Sequence, residues 1–205
     1  IVGKSAVPVL VGGDDSVPIP MLDALSATGR SYTILQIDAH IDWRKSHMDE
    51  EFGLSSTMRR ASEMPHIDRI VQVGARGIGS AHSDDLADAV TWGAEFFTAH
   101  DIHRSGVAPA LARIPDGADI IVCIDVDALD PSIVPGVIGR TPGGLSYLHV
   151  LDLMTGAARR GRIAAMDFVE YVPEADIDGL GGLTSAALIS AAMGILARQD
   201  AGFPV

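Results

Sequence analysis

Four short segments carry residues whose types and spacing could hold metal ions. "GGDDS" at 12–16 offers Asp14 and Asp15, and "DAHID" at 38–42 offers Asp38, His40 and Asp42. "DVDALDP" at 125–131 offers Asp125, Asp127 and Asp130, and "DFVEYVP" at 167–173 offers Asp167 and Glu170. In extended backbone, residues two apart point to the same side. Asp38 with His40, and Asp125 with Asp127, can therefore each converge on one point, and Asp42 joins if the chain curls there. Carboxylates this close repel one another, by about 4 kcal/mol per pair at 4 Å and an effective dielectric of 20. They must take up protons, separate or bind cations, and two divalent ions are the natural remedy. Mostly oxygen ligands with one imidazole favour manganese over zinc.

Plainer readings account for some of these residues. Asp130–Pro131 has the form of a turn, and Gly12–Gly13 alone is a tight turn. One Asp-Ala-His would pass for a solvated loop. Two D-x-[HD] groups, each closing an apolar strand, are harder to explain that way.

The strands that must position them are Val7–Val11, Tyr32–Ile37, Ile70–Val73, Glu95–Phe97, Ile120–Ile124 and Ala164–Phe168. Several are apolar at consecutive positions, the pattern of strands covered on both faces. Helical patterns alternate with them at Pro18–Ala27, Ser55–Glu63, Ala81–Val90, Val107–Arg113, Ser146–Arg160 and Thr184–Arg198. The alternation predicts an α/β fold, a mostly parallel sheet between helical layers, with its site beyond the carboxyl ends of the strands. Phe96, Phe97 and Met166 read as core.

The 205 residues suit one domain over 1–205, and a hydrophobic content of 47% supports a sizeable core. A net charge of -12 argues against nucleic acid as a partner and favours cationic ligands. The single cysteine, Cys123, leaves no disulfide framework and fits a cytoplasmic setting. No apolar run is expected to reach the roughly 20 residues of a membrane helix, so no membrane partner is expected. The chain opens in mid-element without an initiator methionine, which predicts an incomplete amino terminus.

The motifs resemble those of the ureohydrolase family, which includes arginase, agmatinase and guanidinobutyrase. The family's signatures are a Gly-Gly-Asp-His-Ser turn, a D-A-H-x-D strand end and a D-x-D-x-x-D-P segment. The likeness continues through "STMRRASE" at 56–63, "VGARG" at 73–77 and "DGLGGLTSAALIS" at 178–190, and is greatest to agmatinase-like bacterial members. It implies a three-layer α/β/α fold, homotrimers or homohexamers, and two manganese ions, with nickel in some relatives. It implies that Asp38 and Asp125 bridge both metals, that His40 and Asp127 complete one site, and that Asp42 and Asp15 belong to the other. Glu170 matches the carboxylate that holds the substrate guanidinium. Family members carry further chain before the Gly-Gly-Asp turn.

Two departures stand out. Asp15 replaces the family's histidine, and Leu54 falls where many members carry a proton-passing histidine, with His47 and His66 nearby. The mechanism implied is attack of a metal-bridging hydroxide on the guanidinium of agmatine or a related compound. Asp42 then hands a proton to the leaving amine, giving urea. The segment "WRKSHMDEE" at 43–51 reads mostly as a solvated loop whose acids could meet a second positive charge, as on agmatine. Arg59 and Arg60 read as structural or interfacial. Asp15 and Leu54 leave open a metal-poor scaffold or regulatory subunit of an active partner. A single-metal deacetylase-like hydrolase is a third reading, opposed by the complete "DVDALDP" and the Glu170 segment.

Overall fold

A computed structural model describes residues 6–202. Six parallel strands form one sheet in the order β1-β6-β5-β2-β3-β4. They are β1 (Val9–Val11), β2 (Tyr32–Ile37), β3 (Ile67–Val73), β4 (Glu95–Phe97), β5 (Asp119–Asp125) and β6 (Arg162–Val169). The helices are α1 (Pro18–Ala24), α2 (Thr57–Ser62), α3 (Ser83–Trp92), α4 (Ala99–Ser105), α5 (Ala108–Leu111), α6 (Tyr147–Arg160) and α7 (Leu180–Asp200). The expected α/β/α layering is what the chain adopts.

The consecutive apolar residues of the central strands feed two cores. On one face Tyr32, Ile34, Ile70, Ile121 and Ala165 pack against Leu22 of α1, Met58 and Ala61 of α2 and Ala89 of α3. On the other Leu35, Ile37, Val71, Val122 and Ile124 meet Ile102 of α4, Leu153 of α6 and Leu188 of α7. Each central strand is therefore apolar on both sides, as a doubly covered parallel strand must be. Met166 is fully buried, whereas Phe96 and Phe97 are only half-buried at the β4 edge.

Three expectations need correction. Helix α4 was not expected; its start is fixed by Thr98, whose hydroxyl accepts from Asp101 N–H while Asp101 Oδ2 accepts from Thr98 N–H. The helix expected at Val107–Arg113 shrinks to α5. The apolar α7 runs for 21 residues, long enough by length and composition to cross a membrane, contrary to the expectation for the chain. Its inward face, Leu188, Ala192, Ile195 and Leu196, packs into the core.

Candidate metal centre

Sheet register brings four segments to one rim. Ile37 pairs with Ile124 on one side and Val73 on the other, so Asp38 and Asp125 leave adjacent strands at the same level. Asp125 pairs with Val169, which sets Glu170 next along the rim. Gly12 N–H donates to Phe168 O at 2.8 Å and Glu170 N–H donates to Gly13 O at 2.9 Å, laying the Gly-Gly turn beside Glu170. Asp15 N–H then donates to Glu170 Oε1 at 2.9 Å. Strand order reverses between β2 and β5. Such switch points are where open α/β sheets bind ligands.

Two groups of potential ligands form there, and they share one residue. Asp38, His40 and Asp127 make one; Asp15, Asp38 and Asp42 make the other; within each, the ligand atoms lie within 4.8 Å of one another. His40 Nδ1 stands 3.1 Å from Asp127 Oδ2 and 3.5 Å from Asp38 Oδ1. Asp42 reaches its group because the chain turns left-handed there, with φ of 51°, and Glu170 sits in the same region at 66°. Non-glycine residues held so carry strain of about 1–3 kcal/mol, which the surrounding contacts must sustain. Asp125 belongs to neither group. It lines the same cavity, and its Oδ1 accepts from Asp127 N–H at 2.7 Å.

The electrostatics are those of a cation site. Burial, then the neighbouring Asp38 carboxylate, holds Asp15 and Asp42 well above the usual carboxylate range. Burial, then Asp127, raises both Asp38 and Asp125. Asp127 feels the same burial, but its hydrogen bond and charge pairing with His40 bring it below the usual value. The hydrogen bond to Asp127, then that to Asp38, pushes His40 up to about 10. The carboxylates thus draw positive charge to Nδ1, and a divalent ion answers the same demand.

The residues fit a pair of such ions. Asp15 Oδ2 is buried with no hydrogen-bond partner among the described residues. A buried carboxylate oxygen left so is costly unless a cation meets it. Four carboxylates and one imidazole make up the two groups. Their formal charge equals that of two divalent cations in magnitude, and the oxygen-rich set suits a hard divalent ion.

A buried polar layer that sequence reasoning did not find supports these ligands. Gln36 Nε2 donates to Asp38 Oδ2 and to Asp42 Oδ2, each at 2.8 Å. Gln72, its cross-strand partner, donates to Gln36 Oε1 and to Ile41 O, and its Oε1 accepts from Trp43 Nε1 at 2.7 Å. Asp127 Oδ1 accepts from Ala39 N–H at 3.1 Å, and Asp38 Oδ1 from His40 N–H at 2.6 Å. Below the turn, Arg76 donates to the carbonyls of Asp127, Ala128, Leu129 and Thr141. Thr57 Oγ1 donates to Asp15 O. A glutamine in each of two apolar strands was the available signal.

Above the rim lies a cavity of about 440 Å³ lined by Asp15, His40, Asp42, Asp125, Asp127 and Glu170, with Arg44, His47 and Leu54 on its outer wall. Asp14 is exposed and accepts from Ser16, and Asp130 closes a turn by accepting from Ser132, Gly143 and Gly144 N–H. Asp167 is not at the rim but buried within β6, where its Oδ1 accepts from Ile124 N–H. His66 bonds Leu22 O away from the cavity. Arg59 pairs with Glu63 and Asp88, and Arg60 with Glu63, as structural residues do. Asp49, Glu50 and Glu51 are exposed and do not line the cavity.

The arginase family model matches residues 1–196. The chain belongs to the arginase family. It is 33% identical over 193 residues to the N(1)-aminopropylagmatine ureohydrolase of Thermus thermophilus, covering 93% of this chain and 63% of that protein. It therefore spans less than two thirds of that relative's length. It is 33% identical over 186 residues to the mitochondrial arginase of Medicago truncatula, covering 89% and 53% of the two chains. Among solved structures, the proclavaminate amidino hydrolase of Streptomyces clavuligerus superposes with a TM-score of 0.83 at 25% identity, over 95% of this chain and 65% of that one. Asp15 and Leu54, the positions at which the sequence was expected to depart from the family's motifs, both line the cavity.

Proposed function

We propose that this protein is a metal-dependent ureohydrolase that cleaves agmatine or a related guanidino compound to urea and an amine. The observation that carries the reading is Asp38, shared between two ligand groups whose other members line one cavity. Asp38, His40 and Asp127 would hold one ion and Asp15, Asp38 and Asp42 the other, with Asp125 beside both. When bound, two divalent ions, manganese or nickel, supply a water acidic enough to act as nucleophile near neutral pH.

The chain's own residues do the rest. A guanidinium stays protonated and delocalised, so it needs orientation as much as activation. Glu170 spends Oε1 on Asp15 N–H and offers its remaining carboxylate edge to the guanidinium by charge-assisted hydrogen bonds. Asp42, steadied by Gln36, would take the proton released by the attacking water and pass it to the departing amine nitrogen. Leu54, on the cavity wall, can carry no proton.

The test is urea release from agmatine, arginine and 4-guanidinobutanoate after loading with manganese or nickel, with metal content measured alongside. Close to two ions per chain with urea release supports the enzyme. Near-zero metal and no urea would favour the scaffold reading that Asp15 and Leu54 motivate.

A further inference from the structure

The cavity is acidic at its floor and basic at its outer wall. Arg44 leaves the floor segment two residues after Asp42, and its backbone N–H is fixed to Ser55 O at 3.0 Å. Its guanidinium donates to two imidazoles, Nη1 to His47 Nδ1 at 2.7 Å and Nη2 to His82 Nε2 at 3.2 Å. Both rings accept at those atoms, so they position the guanidinium without neutralising it. Among the described residues, no carboxylate forms an ion pair with Arg44, although the chain is acidic overall. Five N–H groups on a guanidinium, two of them engaged, leave a fork free for a bidentate acceptor.

The other charges on that wall agree. Asp85 is its one acid besides the floor carboxylates; it lies in the first turn of α3 and within 3.9 Å of His82 Nδ1. Its charge is answered there by the helix start and the ring. The acids of 49–51, which could have met a second cation, lie outside the cavity. A ligand matching this distribution is cationic at one end and anionic at the other.

We propose that Arg44, held by His47 and His82, anchors a carboxylate at the far end of the substrate, making the substrate class ω-guanidino acids rather than guanidino amines. This rests on the ureohydrolase reading and refines it. Arg44 would bind the tail and take no part in the bond broken.

The test compares 4-guanidinobutanoate with agmatine, which differ chiefly at the far end, on the metal-loaded protein and its Arg44→Gln and Arg44→Lys variants. The wild type is expected to favour the acid in kcat/KM. Arg44→Gln should raise KM for the acid about 10- to 100-fold, the range for losing a charge-assisted hydrogen-bond pair. It should leave kcat nearly unchanged and KM for agmatine unchanged or lower. Arg44→Lys should restore part of the loss. A wild-type preference for agmatine, or equal effects of Arg44→Gln on both compounds, overturns the anchor while leaving the ureohydrolase reading standing. Calorimetric binding of the two compounds gives a readout independent of turnover. If neither compound yields urea, tighter binding of the acid that Arg44→Gln abolishes would still support the anchor, and indifference to Arg44→Gln would sink it.

Discussion

Replacing Gly74 with alanine tests how firmly the sheet holds the metal centre. Gly74 follows β3 at φ 112°, and an added Cβ would lie 2.7 Å from Asp38 O. That atom is backbone and cannot rotate aside. Asp38 is itself pinned by its N–H bond to Val73 O at 2.9 Å, and Gly74 N–H by its bond to Phe97 O at 2.9 Å. The unfavourable φ costs about 1–3 kcal/mol, and forcing the contact adds about 1–3 kcal/mol. A total near 3 kcal/mol would lower Tm by about 6–12 °C in a chain of this size. Because Asp38 belongs to both ligand groups, a shift there should also weaken metal binding about 10- to 100-fold, as supporting-residue changes commonly do. Gly93→Ala is the control: φ is similar at 109°, with nothing within 4 Å of the added Cβ. It should lower Tm by the backbone share alone and leave metal binding intact. Thermal unfolding and calorimetric manganese titration of both variants read this out. Equal Tm losses with wild-type metal affinity in both would refute the coupling of Gly74 to the site.

Other outcomes follow from the same geometry. Asp38→Asn should remove both metals and urea release together, while Asp125→Asn, whose residue lies in neither ligand group, shows by metal analysis whether Asp125 is a ligand at all. Gln36→Leu keeps the strand apolar but frees Asp38 and Asp42; kcat should fall about tenfold or more with KM little changed, and a change in KM alone would speak against the positioning role. Burial pushes Asp167 up to about 7 from 3.8, against the hydrogen bonds of Cys123 and Ile124. A raised folded pKa means a contribution present below pH 3.8 and lost as pH rises through about 7. Asp167→Asn should therefore gain stability relative to wild type on going from pH 5 to pH 8, by about 3 kcal/mol at most, as measured by denaturant unfolding at fixed manganese.

Much of this was legible because the physics is local. The largely apolar runs Tyr32–Ile37 and Ile120–Ile124 have the pattern of strands covered twice, and i, i+2 spacing puts Asp38 and His40 on one side. Other parts depend on register or turn geometry. Gln36 and Gln72 carry no motif; they become a pair only because β2 and β3 align them. The engagement of Asp125 by Asp127 N–H arises in the 3₁₀ turn after β5, which spacing alone does not specify. Helix α4 lacks apolar periodicity, and Ala99 and Ile102 are its only buried residues. The start of α7 was missed because Gly181 and Gly182 are poor helix formers, yet their N–H groups are tied to Asp176.

Arg76 gives the molecule a division between what is fixed and what is free to vary. Its guanidinium threads beneath the 125–131 turn and holds it through main-chain oxygens, which any side chain in that turn would present equally well. The floor can therefore stay rigid while residues change above it. Adaptation to new compounds then falls to the exposed 45–52 stretch, so relatives with different diets should differ there first.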